Sequence, residues 1–120
     1  MVPIARVLVV LGALCGAAGV AAAAAGSHLD SRNLDAIALI CLSHGPALLA
    51  LGLYGKGRGL LWGGLALAFG TAIFGGDLMV REAFERALFP GAAPLGGGIM
   101  IASWFALAFW ALVERGGKLN

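Results

Sequence analysis

Four apolar runs of about 20 residues each, at residues 4–26, 34–54, 60–80 and 93–113, constrain this chain more than any motif in it. At about 1.5 Å rise per residue, a helix of that length crosses roughly the 30 Å hydrocarbon core of a bilayer. The charges gather in short clusters between the runs or near their ends, where water would meet them. The expected fold is therefore all-α, an integral membrane four-helix bundle forming a single membrane domain over residues 1–120. Short connections make its helices antiparallel and bring both termini to the same side. Composition agrees, with 61% hydrophobic and 12% charged residues against about 45–50% and about 25% in an average soluble domain.

Several function classes fall away at this point. A net charge of +2, with the basic residues dispersed, offers no clustered face for nucleic acid. Cys15 and Cys41 lie within apolar runs and outside any CxxC spacing, so they read as small packing residues. The first run, with Arg6 ahead of it and the tract Ala21 to Ala25 before Gly26 and Ser27, has the outline of a secretory signal. Its apolar stretch is longer than the roughly 7–15 residues of a signal core, and Leu14 before Cys15 does not suit a lipoprotein cleavage site. It is expected to stay as the first membrane helix.

The connections carry the local signals. Ser31 or Asn33 can cap the second helix, and Pro46 inside it permits a bend beside His44. Gly55 to Gly59 is a glycine-rich turn holding Lys56 and Arg58. Arg81 to Pro90, with Phe84, Leu88 and Phe89 at helical spacing, suggests a short interfacial helix. Pro94 falls in the first turn of the fourth helix, where its missing N–H costs little. Arg6, Lys56, Arg58, Arg115 and Lys118 share one side and Arg32, Arg81 and Arg86 the other, an excess that places both termini in the cytoplasm of a bacterial inner membrane.

Helix contacts in lipid depend on small residues that let backbones approach. Gly12 and Gly16, continued by Gly19 and Ala23, form such a face, and Gly59 and Gly63 form another. Packing within the bundle is the first reading of both, and a homo-oligomer seam the second.

Asp77 stands out because ionisable groups inside membrane segments mark function by default. His28 and Asp77 fall at similar depth, and His44 lies ten residues into its run, about 15 Å along the axis. One reading gathers His28, His44 and Asp77, with Ser43, Thr71 and Arg81, into a polar pocket suited to a proton relay or a small ligand. The plainer reading pairs Asp77 with Arg81 four residues on, acid before base on one helix face, and leaves each histidine satisfying a neighbouring helix. Three ligands at different depths do not make a metal site, and histidines so far apart in depth do not share a haem. No cofactor is expected. Ser43 beside His44 points in a different direction on a helix, so no nucleophile with its base is in view.

These residues resemble the YgdD-like family of small four-helix membrane proteins, domain-of-unknown-function family number 423, over nearly the whole chain. That family has Gly-Ala-Phe-Gly-Ala-His-x-Leu closing helix 1, matched here by Gly26-Ser27-His28 with Leu29 directly after the histidine, and a histidine in helix 2 matched by His44. Its Gly-Thr-x-x-Phe-Ser-Gly-Ser-Leu-Tyr is matched by Gly70, Thr71, Phe74, Gly76 and Leu78, and its Thr-Pro-x-Gly-Gly and Gly-Trp by Pro94, Gly96, Gly97 and Trp104. Gly75 and Asp77 stand where the family has serines and Met79 where it has tyrosine. The resemblance implies the architecture and brings no activity with it.

The expected function is then that of a structural or accessory subunit in the membrane, not an enzyme, with lipid and either another membrane protein or its own copies as partners. A transporter, proton-conducting element or ligand binder using the two histidines and Asp77 is the alternative.

Overall fold

A computed structural model describes residues 1–114; Arg115 and Lys118, which entered the charge count above, lie outside the described residues. Four helices form: α1 Pro3–Leu29, α2 Arg32–Tyr54, α3 Arg58–Phe84 and α4 Ala92–Val113. Each is long and apolar enough to cross a membrane, so the chain is a four-helix, all-α protein of the multi-pass membrane type.

Local chemistry sets the helix ends. Pro3 opens α1 at a position that needs no N–H donor. Ser31 caps α2 by accepting from the Leu34 amide at 3.2 Å, while Asn33 instead donates to Glu82. Asp30 ends α1 and Glu85 ends α3, both in the left-handed conformation, with φ of 51° and 56°. The helices extend beyond the apolar runs that announced them. In particular α3 continues through Phe84, so the interfacial helix expected over Arg81 to Pro90 does not form. Arg81, Glu82 and Ala83 are good helix formers, and they prolong α3 until the Glu85 turn leads into an irregular connection.

The α1–α2 seam is built from small residues at a spacing of seven. Ala5, Gly12, Gly19 and Gly26 on α1 are buried, and so are Ala38, Gly45 and Gly52 on α2. A methyl group added at Gly12 would lie 2.8 Å from the Gly45 carbonyl, and one added at Gly45 would lie 3.0 Å from the Gly12 carbonyl and 3.1 Å from the Gly16 amide. Gly52 meets Ala5 and Val9, Gly19 meets Leu42, and Gly26 meets Leu34 and Asp35, so positions rise along α1 as they fall along α2. Gly12 and Gly16 thus pack inside the bundle, straddling Gly45. The face runs on to Gly26, whereas Ala23 is exposed.

Leu8, Leu48 and Leu67, one from each of the first three helices, are almost completely buried and pin α3 onto that pair. Leu8 also fills the space over Gly64. A second apolar cluster, Leu34, Ile37, Ala38 and Cys41 with Ala22, closes the other half of the α1–α2 seam. The fourth helix lies close against α3 and reaches α2 through the side chain of Trp104, which meets His44. Gly70 and Gly96 cross so closely that a methyl group on Gly96 would lie 2.6 Å from the Phe74 amide. Gly63 seats Leu107 and Gly59 seats the Trp110 ring, so this second glycine pair also packs internally.

Gly45→Leu should therefore force the α1 and α2 backbones apart and cost about 1–3 kcal/mol, as overpacking does. Gly16→Ala meets no atom within 4 Å and should stay within about 0.5 kcal/mol of the parent. Thermal unfolding in detergent, followed by circular dichroism, separates the two.

Candidate functional site

Asp77 is the only charged side chain buried completely among the described residues, and both of its oxygens are taken. The Arg81 guanidinium donates from Nε to Oδ2 at 2.8 Å, and the Leu88 backbone N–H donates to Oδ1 at 2.8 Å. Four residues make about one helical turn, which puts Arg81 over Asp77. Leu88 reaches it because the chain folds back after Glu85. The carboxylate thus ties the α3–α4 connection to the body of α3, and the plainer sequence reading, Asp77 with Arg81, is the one the geometry realises.

His28 does not join it. It lies in the last turn of α1 with its side chain exposed, and Asp77–Arg81 is the only salt bridge among the described residues. His44 is buried in the middle of α2. Its Nε2 accepts from the Trp104 indole N–H at 3.1 Å, with the rings edge to face at 69° and centroids 5.6 Å apart. An indole nitrogen only donates, so Nε2 carries the lone pair and Nδ1 the proton. Nδ1–H donates to the Ile40 carbonyl at 3.0 Å, and the Ser43 hydroxyl, donating to the same carbonyl, stands 3.0 Å from Nδ1. Thr71 is likewise occupied within its own helix, donating to the Leu67 carbonyl at 2.7 Å.

The sequence-predicted pocket of His28, His44 and Asp77, with Ser43, Thr71 and Arg81, is therefore not assembled. Its members divide into an Asp77–Arg81 clamp, a His44–Ser43 group and two separate residues. The physical reason is that Asp77, Ser43 and Thr71 find partners within a helical turn or on the following connection, His44 bonds Ile40 in its own helix and Trp104 on α4, and His28 stays exposed at the end of α1; pairing buried polar groups in this way is cheaper than leaving them to converge on open space. Among the described residues no three His, Cys, Asp or Glu side chains cluster to hold a metal ion.

A large concavity lies elsewhere. A slot of about 770 Å³ separates α1 from α3, with α2 as its floor. Ala18, Ala21 and Ala25 face Ala72, Gly75 and Gly76 across it. Beyond the Leu8–Gly64 contact these side chains are too short to close the gap, and an added methyl at Gly75 would touch nothing within 4 Å. Cys15 and Cys41, both reduced, sit against one another in its wall. Thr71 is its buried polar member.

Sequence reasoning missed three participants: Leu88, Trp104 as the partner of His44, and Glu82. Glu82 accepts from Ser31 and Asn33 and so joins α3 to the start of α2. Only Trp104 carried a sequence signal, as a motif residue of the family resemblance. No protein-family model matches the chain, and no solved structure matches it.

Asp77→Ala removes the acceptor for Leu88 and the partner of Arg81. It should cost about 1–3 kcal/mol, the range for a buried group that loses its hydrogen bond. Amide exchange at Leu88 should accelerate in the same variant, whereas His28→Ala should leave both stability and exchange unchanged.

Proposed function

We infer that this chain is a small multi-pass protein of a bacterial inner membrane that works as a structural or accessory subunit, without catalytic chemistry of its own. On this reading its helices are antiparallel, both termini face the cytoplasm, and it is a member of the YgdD-like family it resembles. The opposed order of the α1–α2 contacts supports the antiparallel arrangement.

The observation that carries the functional reading is the α1–α3 slot. Three helices contribute to it, its lining is apolar apart from Thr71, and Ala18, Ala21 and Ala25 face Ala72, Gly75 and Gly76 across it. Small-residue surfaces are how helices recognise one another in lipid, where apolar burial alone gives little preference. A slot of this shape suits the side chains of a further membrane helix, from another protein or a second copy. The separate employment of Asp77, His44 and His28 weighs the same way, against a transporter or proton-conducting element built on those three groups.

Purification in mild detergent should recover the chain with a partner or as an oligomer. Gly75→Phe fills the slot from a position where the protein itself offers no obstruction. It should leave thermal stability near that of the parent while weakening the complex at least about tenfold, as a steric block at an interface centre does. A solitary monomer from the parent chain, or an undiminished complex from the variant, contradicts the reading.

A further inference from the structure

Two cysteines meet where α1 and α2 run closest. Cys15 lies between Gly12, which meets Gly45, and Gly19, which meets Leu42, and a methyl group added at Gly45 would lie 3.4 Å from the Cys15 Cβ. Cys41 stands one helical turn before Gly45 on the same face of α2. The two side chains touch across the seam, and both thiols are reduced. A disulfide needs Cα atoms within about 4.4–6.8 Å of one another, a separation that a seam of glycines brings within reach. Neither thiol takes part in the Asp77 clamp or the His44–Trp104 bond.

Their surroundings decide which chemistry is open to them. Cys15 is half-buried and Cys41 buried, and both belong to the wall of the α1–α3 slot. Each falls about midway along its helix, which puts the pair near the middle of the bilayer, roughly 15 Å from water on either side. The described residues lining the slot include no Lys, Arg or His. A thiolate formed there would be an unpaired charge in an apolar space, which is costly, and nucleophilic thiol chemistry runs through the thiolate. Thiol–disulfide exchange and anionic metal–thiolate complexes are therefore closed to this pair. What stays open is neutral chemistry, in which the S–H bond gives up a hydrogen atom and no charge appears at any stage.

We propose that Cys15 and Cys41 form a redox modification site, a dithiol that quenches the peroxyl radicals of oxidised acyl chains and closes to a disulfide. A first peroxyl radical entering the slot takes the hydrogen atom of the Cys15 thiol, the more exposed of the two, leaving a lipid hydroperoxide and a thiyl radical on Sγ. A second takes the hydrogen atom of Cys41, and the two thiyl radicals pair their electrons in an S–S bond. Two thiols and two peroxyl radicals thus give one disulfide and two lipid hydroperoxides, with no proton or electron left over. The pairing is the specific part, because a lone thiyl radical would take a hydrogen atom from a neighbouring acyl chain and carry the damage on, whereas a second sulfur beside it ends the sequence. A slot of about 770 Å³ with an apolar lining admits an acyl chain. A partner helix seated in the slot would cover Cys15, so this chemistry belongs to the chain with its slot open and does not rest on the interface reading.

The test uses the full chain at one copy per nanodisc of dilinoleoyl phosphatidylcholine, where no partner covers the slot, with a lipid-soluble azo initiator as the source of peroxyl radicals. Mass spectrometry should find each chain two hydrogen atoms lighter and a Cys15–Cys41 crosslinked peptide that a phosphine reductant reopens. Hydrogen peroxide, which oxidises thiols through the thiolate, should leave the pair intact. Conjugated-diene formation in the same discs should show a lag while the dithiol is consumed. Cys15→Ala and Cys41→Ala keep a small residue in the seam, and each should lose both the crosslink and the lag. No crosslink in the parent, a crosslink formed as readily by hydrogen peroxide, or a lag that survives in either variant overturns the proposal. Should a variant not fold, the parent's crosslink and its indifference to hydrogen peroxide decide it.

Discussion

Where the Gly12 and Gly45 backbones cross, two helices come closer than any side chain would permit, and the rest of the bundle is arranged around that approach. Helices already in lipid gain little from burying apolar surface against one another, so close contact between backbones has to supply the association. The repeat of small residues at every seventh position holds α1 and α2 together along their length. Leu8, Leu48 and Leu67 then fasten α3 to the pair, and the Gly70–Gly96 crossing hangs α4 from α3. Two openings follow. One lies between α1 and α3, where alanine and glycine face each other, and the other between α2 and α4, which the Trp104–His44 bond alone bridges by hydrogen bonding.

The polar residues obey the same economy of contact. A carboxylate taken into a membrane helix is costly unless paired and hydrogen-bonded, and Asp77 has both an adjacent guanidinium and a backbone amide. Its effect is to lock a connection in place. His44 acts as a strut whose two nitrogens play opposite parts, one donating within α2 and the other accepting from α4. In both cases the group that looked like a site from sequence is first a device for holding elements together.

What could be read in advance follows from how local each interaction is. The four spans were legible because length and apolarity are written along the chain, and Asp77–Arg81 because four residues on a helix is a fixed geometry. The α1–α2 seam was half legible: Gly12 and Gly16 are a known spacing, but the repeat of seven through Ala5, Gly19 and Gly26 shows its meaning only beside Ala38, Gly45 and Gly52 on the facing helix. Leu88 could not have been found, since a backbone amide eleven residues beyond Asp77 bears no mark in the sequence. The same holds for the gap between α2 and α4, which arises because α4 is satisfied by α3. The pocket of two histidines and an aspartate was inferred from depth alone, and depth does not say which way a side chain points around a helix.

The central claim is that the α1–α3 slot is an interface. It is tested most directly in intact membranes by placing a photo-crosslinking side chain at Ala21, inside the slot, and in parallel at Leu39, which is 70% exposed on the surface of α2. The account predicts a discrete protein adduct from Ala21 and only diffuse lipid products from Leu39. Lipid products alone from both positions would contradict it.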